Sequence, residues 1–176
     1  MSVIKNKEQR VGVFVDVQNM YYSAKNLYAS KVNFGAILRE TVGDRKLIRA
    51  IAYVVKAQMP EEQSFFDALE KSGYDVKKKD LQIFVDGSNK ADWDVGIAMD
   101  IIKMAPGLDS VILVSGDGDY IPLVEYLQNH GKIVEVIAFH SSASQNLVEK
   151  ADYFLDLETI QRNVLLKYTN KQQKRN

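Results

Sequence analysis

The chain has 176 residues, 46% of them hydrophobic, enough for one buried core and therefore for one domain with short appended ends. It contains no cysteine, which excludes disulfides, thiolate zinc sites and cysteine nucleophiles, and its two histidines, His130 and His140, cannot build a three-histidine metal site. Its 23 basic and 23 acidic side chains cancel, so no global basic field draws in nucleic acid, and no apolar run approaches the ~20 residues that a bilayer span needs.

Residues 1–10 carry no apolar stretch of signal-peptide length, so the expectation is a flexible leader and a cytoplasmic protein. Residues 11–17 are a short apolar run that reads as a buried strand, followed by helices at 19–29 and 34–41. A β-branched run at 47–55 predicts the second strand. Residues 61–72 predict a helix with Phe65, Phe66 and Leu69 on one face and Gly73 as its stop. One or two short extended pieces are expected around Lys77, Lys78 and Lys79, then a loop at 86–89. A helix over 94–104 is closed by Pro106 and Gly107. Strands at 111–114 and 133–139 alternate with helices at 120–129 and 144–150. A last strand at 153–157 leads into a helix to about residue 168, and a basic tail over 170–176 follows the domain at 11–169. This alternation predicts a three-layer α/β/α fold around a mostly parallel sheet.

Acidic residues recur where strands end and helices begin, the edge at which open α/β sheets bind ligands. Asp16 closes the first strand in Val13-Phe14-Val15-Asp16-Val17-Gln18-Asn19, where either Asp16 or Asn19 can also serve as a helix N-cap. Asp94 shares a helix face with Ile97, Ala98, Ile101 and Ala105, and so points along the core-facing stripe. An unpaired carboxylate there is costly and calls for a cation or strong donors. Asp100 falls on the polar side and reads as solvated surface; Asp92 reads as an N-cap. In Ser115-Gly116-Asp117-Gly118-Asp119 the glycines permit a tight turn, and Asp117, between them, has no expected capping role.

The third glycine of a dinucleotide fingerprint is absent, its place being held by Ile121, and acids would repel a pyrophosphate. The run also lacks the later glycine and glutamate of a calcium loop. Asp16-Val17-Gln18 lacks the second aspartate of aspartate-nucleophile phosphatases. Carboxylates without histidine or cysteine favour Mg²⁺ or Mn²⁺ over zinc, and such ions complete their shell with water and substrate phosphate.

Three segments together resemble the NYN domain family in its LabA-like branch. They are Phe14-Val15-Asp16-Val17-Gln18-Asn19, then Lys90-Ala91-Asp92-Trp93-Asp94 continuing to Asp100, and Val114-Ser115-Gly116-Asp117-Gly118-Asp119-Tyr120 continuing to Val124. Ser144, Leu147, Ala151, Asp152 and Leu157 fit the same branch, and the resemblance covers about residues 11–157. Ala91 stands where a glycine is common. The resemblance implies a PIN-like, Rossmann-like fold and a metal-dependent ribonuclease, with Asp16, Asn19, Asp94, Asp117 and Asp119 as the site. Asp16, Asp94, Asp117 and Asp119 would hold Mg²⁺ or Mn²⁺, and Asn19, Lys90 and Ser115 would contact phosphate.

The implied partner is RNA, single-stranded or structured, with no membrane; a homodimer is open. Lys77, Lys78 and Lys79 reach the RNA backbone if they face the crevice. The competing readings are an RNA-binding or protein-interaction module with a vestigial site, and a phosphatase of small phosphoesters. Tyr21, Tyr22 and Tyr28 could form a base-stacking platform, though Tyr21 and Tyr28 also fit a helix core stripe.

Overall fold

The computed structural model describes residues 5–57, 61–83, 89–90 and 92–166, with the side chains of residues 83, 89 and 90 left undescribed. In chain order its elements are β1 (Arg10–Asp16), α1 (Val17–Tyr28), β2 (Lys31–Val32), α2 (Phe34–Val42), β3 (Lys46–Lys56), α3 (Glu62–Lys71), β4 (Asp75–Asp80), β5 (Gln82–Ile83) and β6 (Asn89–Lys90). The second half adds α4 (Asp94–Met104), β7 (Ser110–Val114), α5 (Ile121–Asn129), β8 (Ile133–Ala138), α6 (Gln145–Lys150), β9 (Tyr153–Asp156), α7 (Gln161–Val164) and β10 (Leu165–Leu166). The rest of the expected 86–89 loop (86–88), Ala91 and the tail at 170–176 lie outside the described residues.

Six strands form a sheet in the order β4-β3-β1-β7-β8-β9, and every neighbouring pair is parallel. The chain builds outward from β1 through β3 to β4, then returns to lay β7 against the free side of β1 and builds outward again. Strand order therefore reverses between β1 and β7, and the crevice beyond their carboxyl ends is where such sheets place ligands.

β1 and β7 read as unbroken apolar runs because both of their faces are covered. Val11, Val13 and Val15 join Ile112 and Val114 in a core packed by Met20, Ile37 and Phe66 of α1, α2 and α3. Phe14, Val111 and Leu113 point the other way, into a core packed by Ile97, Ile101 and Leu127 of α4 and α5. The period-two alternation of the strands sorts the side chains into these two layers.

One local expectation changes. The helix expected to run to about residue 168 ends at Val164. Leu165 and Leu166 then pair antiparallel with Val32 and Lys31, and the Ser30 hydroxyl donates to the Leu166 carbonyl at 2.6 Å. The short extended pieces expected around the lysine run are present as β4 and β5; β4 carries the lysines and is an edge strand, which places charge along an edge otherwise open to pairing. Its lysines are engaged on both faces of the sheet. Lys77 bonds Asp100 at 2.6 Å, Lys78 approaches Glu70 at 3.9 Å, and Lys79 donates to the Asp92 carbonyl at 2.8 Å.

Near the amino ends of β7 and β8 the sheet buries an ion pair. Glu135 is fully buried and Arg45 is 6% exposed. Arg45 donates to Glu135 at 2.5 and 3.2 Å and to the Thr41 carbonyl at 2.5 Å, while the Ser110 hydroxyl donates to Glu135 at 2.6 Å. Burial alone would raise the Glu135 pKa, but the bonds from Arg45 and Ser110 overcome it and hold the carboxyl below its ordinary value. Removing one partner strands the other charge in the core. Glu135→Leu is expected to cost about 3–5 kcal/mol in urea denaturation, and Glu135→Leu with Arg45→Met to recover most of that loss. A single-variant loss below about 1 kcal/mol would contradict the pairing.

Candidate functional site

Asp16 is the last residue of β1 and the N-cap of α1, its carboxylate accepting from the Asn19 N–H at 3.1 Å. The Asn19 side chain reaches across the strand reversal, its amide oxygen accepting from the Gly116 N–H at 3.0 Å. The amide N–H₂ of Asn19 is the part of that side chain that can donate to a substrate oxygen. Asn19 thus ties the end of β1 to the loop after β7.

That loop differs from expectation in two ways. Gly116 and Gly118 are not among the glycines with positive φ, so the turn does not require them. Close approach does: a Cβ on Gly116 would lie 2.9 Å from the Ala143 Cα, and one on Gly118 would lie 2.9 Å from the Ser144 hydroxyl. Asp117 does cap, its carboxylate accepting from the Asp119 N–H at 2.9 Å to open the 3-10 turn Gly118–Tyr120. Ser115 is fully buried, and its hydroxyl accepts from the Asp117 N–H at 3.2 Å. In this conformation Ser115 braces the loop that carries Asp117.

Asp94 opens α4 and is half-buried, as its helical phase predicts. It meets Asp117 and Asp119 so that one carboxylate oxygen from each lies within 4.8 Å of the other two. Asp16 stays outside that trio and is joined to it through Tyr120. The Tyr120 hydroxyl, 2% exposed as a residue, lies 3.1 Å from Asp94 and 3.4 Å from Asp16. Sequence reading passed over Tyr120, although an aromatic directly after two acids is a signal that was present.

Asp92 and Asp100 are corrected as well. The residue at the N-cap of α4 is Trp93, with no side-chain capping bond, and Asp92 instead lines the crevice. Asp100 is not solvated surface. Its side chain is 20% exposed and accepts from Tyr53 at 2.9 Å and Lys77 at 2.6 Å, because β3 and β4 cover the side of α4 that looks polar in isolation. Burial pushes its pKa up, but these two bonds outweigh burial and hold it below the ordinary value. The Lys90 side chain and Asp86 lie outside the described residues.

The crevice holds about 340 Å³. It is lined by Asp16, Asp94 and Asp117 together with Gln18, Tyr22 and Asn26 of α1 and with Asp92 and Trp93. Tyr21, expected in a core stripe, is 44% exposed, while Tyr28 is half-buried against Phe139 with ring centres 5.5 Å apart.

The donor set fits a hard divalent cation, being all carboxylate oxygen. Electrostatics point the same way. Burial pushes the Asp16 carboxyl from 3.8 up to about 6; the Asn19 N–H opposes this, and the charges of Asp94 and Asp117 add to it. Burial likewise raises Asp94, opposed by the Tyr120 hydrogen bond and reinforced by Asp117, Asp92 and Asp119. These groups are strained toward protonation, which a cation would relieve.

A raised carboxyl binds its proton more tightly in the folded chain than in the unfolded one. In chelator, stability therefore falls as pH rises from about 4 to 6, by on the order of 3 kcal/mol for Asp16 alone. Urea unfolding in EDTA across that range is expected to show the slope, and Asp16→Asn to flatten it. An unchanged slope in Asp16→Asn would remove Asp16 as its source.

Comparison with known proteins bears on the family and the fold. The chain is 28% identical over 165 residues to the Low amplitude and bright protein LabA of Synechococcus elongatus, covering 88% of this chain and 87% of that one. It superposes on the crystal structure of a protein of unknown function from Vibrio parahaemolyticus with a TM-score of 0.83 at 35% identity, covering 93% of this chain and all of the other. The NYN domain profile matches residues 10–158, from the first strand to just past the last strand of the main sheet. The chain belongs to the NYN domain family.

Proposed function

We propose that the chain hydrolyses RNA phosphodiester bonds with a divalent cation, Mg²⁺ or Mn²⁺. The observation that carries this reading is the convergence of Asp94, Asp117 and Asp119 at the carboxyl edge of an NYN fold. Such a cation polarises phosphoryl oxygens and acidifies water, which is the chemistry that in-line displacement at phosphorus needs.

The chain's own residues divide the remaining work. Asp94, Asp117 and Asp119 offer the ligand oxygens, and Asp16 adds a further negative charge beside them. Tyr120 and the Asn19 N–H hold Asp94 and Asp16 in place, so little reorganisation is required when an ion arrives. The Asn19 amide N–H₂ is the donor available to a non-bridging phosphate oxygen, and Lys90 is kept as a second phosphate contact. Half-burial of Asp94 and burial of Asp16 lower the local dielectric, which strengthens every charge interaction there. Among the described residues no helix is long and apolar enough to cross a membrane.

Purified protein with Mn²⁺ and end-labelled single-stranded RNA is expected to shorten the RNA, and EDTA to stop it. Asp94→Asn and Asp117→Asn are each expected to lower the rate roughly 100-fold or more while leaving the far-UV circular dichroism unchanged. Equal residual cleavage by wild type and Asp94→Asn would sink the nuclease reading and leave a binding module. Turnover of small phosphate esters without loss of RNA length would indicate a phosphatase instead.

A further inference from the structure

The cleft beside the carboxylates is lined by two aromatic residues, Tyr22 and Trp93, and, among its described lining residues, by no lysine or arginine. Tyr22 lies on the exposed face of α1, where it is 50% exposed and Asn26 lies one turn on. Trp93 is held from several sides. Its indole N–H donates to the Val54 carbonyl at 2.9 Å, and its ring lies 5.2 Å from that of Tyr53. It also fills the notch left by Gly96, where a Cβ would sit 2.7 Å from the indole carbon Cε3. A fixed tryptophan and an exposed tyrosine line the same cleft of about 340 Å³ as the candidate catalytic acids.

A lining of this composition suits the flat, polar-edged body of a base better than its phosphate. Phosphate contacts normally come from Lys and Arg, whereas single-stranded nucleic acid is gripped by stacking on aromatic rings, which tolerates any base. Gln18 and Asn26 line the same cleft and offer amide donors and acceptors to the polar edge of a base. A duplex keeps its bases stacked on one another and out of reach of such a cleft.

We infer that the cleft between Tyr22 and Trp93 seats one unstacked nucleobase of a single-stranded RNA, next to the phosphodiester presented to Asp94 and Asp117. This subsite deepens the proposed ribonuclease reading and rests on it for the identity of the strand. Tyr22 supplies the adaptable stacking surface and Trp93 the rigid one, so the enzyme acts on loops and tails and leaves helical RNA intact.

The test uses the full chain and reads binding apart from cleavage. A fluorescent six-nucleotide single-stranded RNA, its abasic counterpart and a duplex of the same sequence are titrated in Ca²⁺, with RNA length checked on a gel. Binding is followed by anisotropy and by the emission of Trp93, the only tryptophan in the chain. The base-bearing single strand is expected to bind most tightly and to quench Trp93, and the abasic strand and the duplex to do neither. Tyr22→Ala is expected to weaken binding roughly 5- to 100-fold, and Tyr22→Phe, which keeps the ring, to retain it. Because Tyr22 is exposed, its removal leaves the core intact. Equal binding of abasic and base-bearing strands, no loss in Tyr22→Ala, or no binding of any strand overturns the subsite. Base-dependent binding without cleavage in Mn²⁺ supports the subsite and rejects the nuclease reading; cleavage without base dependence does the reverse.

Discussion

Mutual repulsion among carboxylates is the constraint around which the functional edge of this protein is built. Two unit charges about 5 Å apart at an effective dielectric of about 20 repel by roughly 3 kcal/mol. A neutral hydrogen bond returns only about 1 kcal/mol, so the Tyr120 hydroxyl between Asp16 and Asp94 cannot by itself offset the crowding. What remains is protonation or a cation. The upward displacement of Asp16 and Asp94 is the first response, and the all-oxygen donor set is suited to the second.

The rest of the fold holds these groups where they repel. Two central strands buried on both faces fix the ends from which Asp16 and the loop after β7 emerge. The Asn19 side chain closes the gap between them, and the buried Ser115 hydroxyl braces Asp117. At the amino end of the sheet Arg45 and Glu135 bury opposite charges that satisfy each other. One end of the sheet neutralises its buried charges internally, while the other gathers carboxylates of one sign.

Element type was legible because periodicity is local. Apolar runs at the centre of the sheet and the 3.6-residue phase of α4 follow from the pattern alone, and that phase correctly turned Asp94 inward. The same reasoning misplaced Asp100, because helical phase reports which side of a helix is polar and not what lies across from it; Tyr53 and Lys77 come from strands far away in sequence. It also gave Asp92 the N-cap position that Trp93 holds and gave Gly116 a turn conformation where the real demand is the approach of Ala143. The end of the chain was read as helix because two-residue strands carry no periodicity, and β10 exists only through its pairing with β2.

The sequence by itself therefore determined the fold class, the alternation of strands and helices, and the residue types available at strand ends, all of which depend on neighbours within a few positions. Only the tertiary structure decided which of those residues meet. It brought Asp94, Asp117 and Asp119 together, left Asp16 beyond them behind Tyr120, and turned Ser115 inward as a brace. The reason is that strand order reverses at β1 and β7. That reversal joins segments about a hundred residues apart, and no short-range pattern encodes the distance between their side chains.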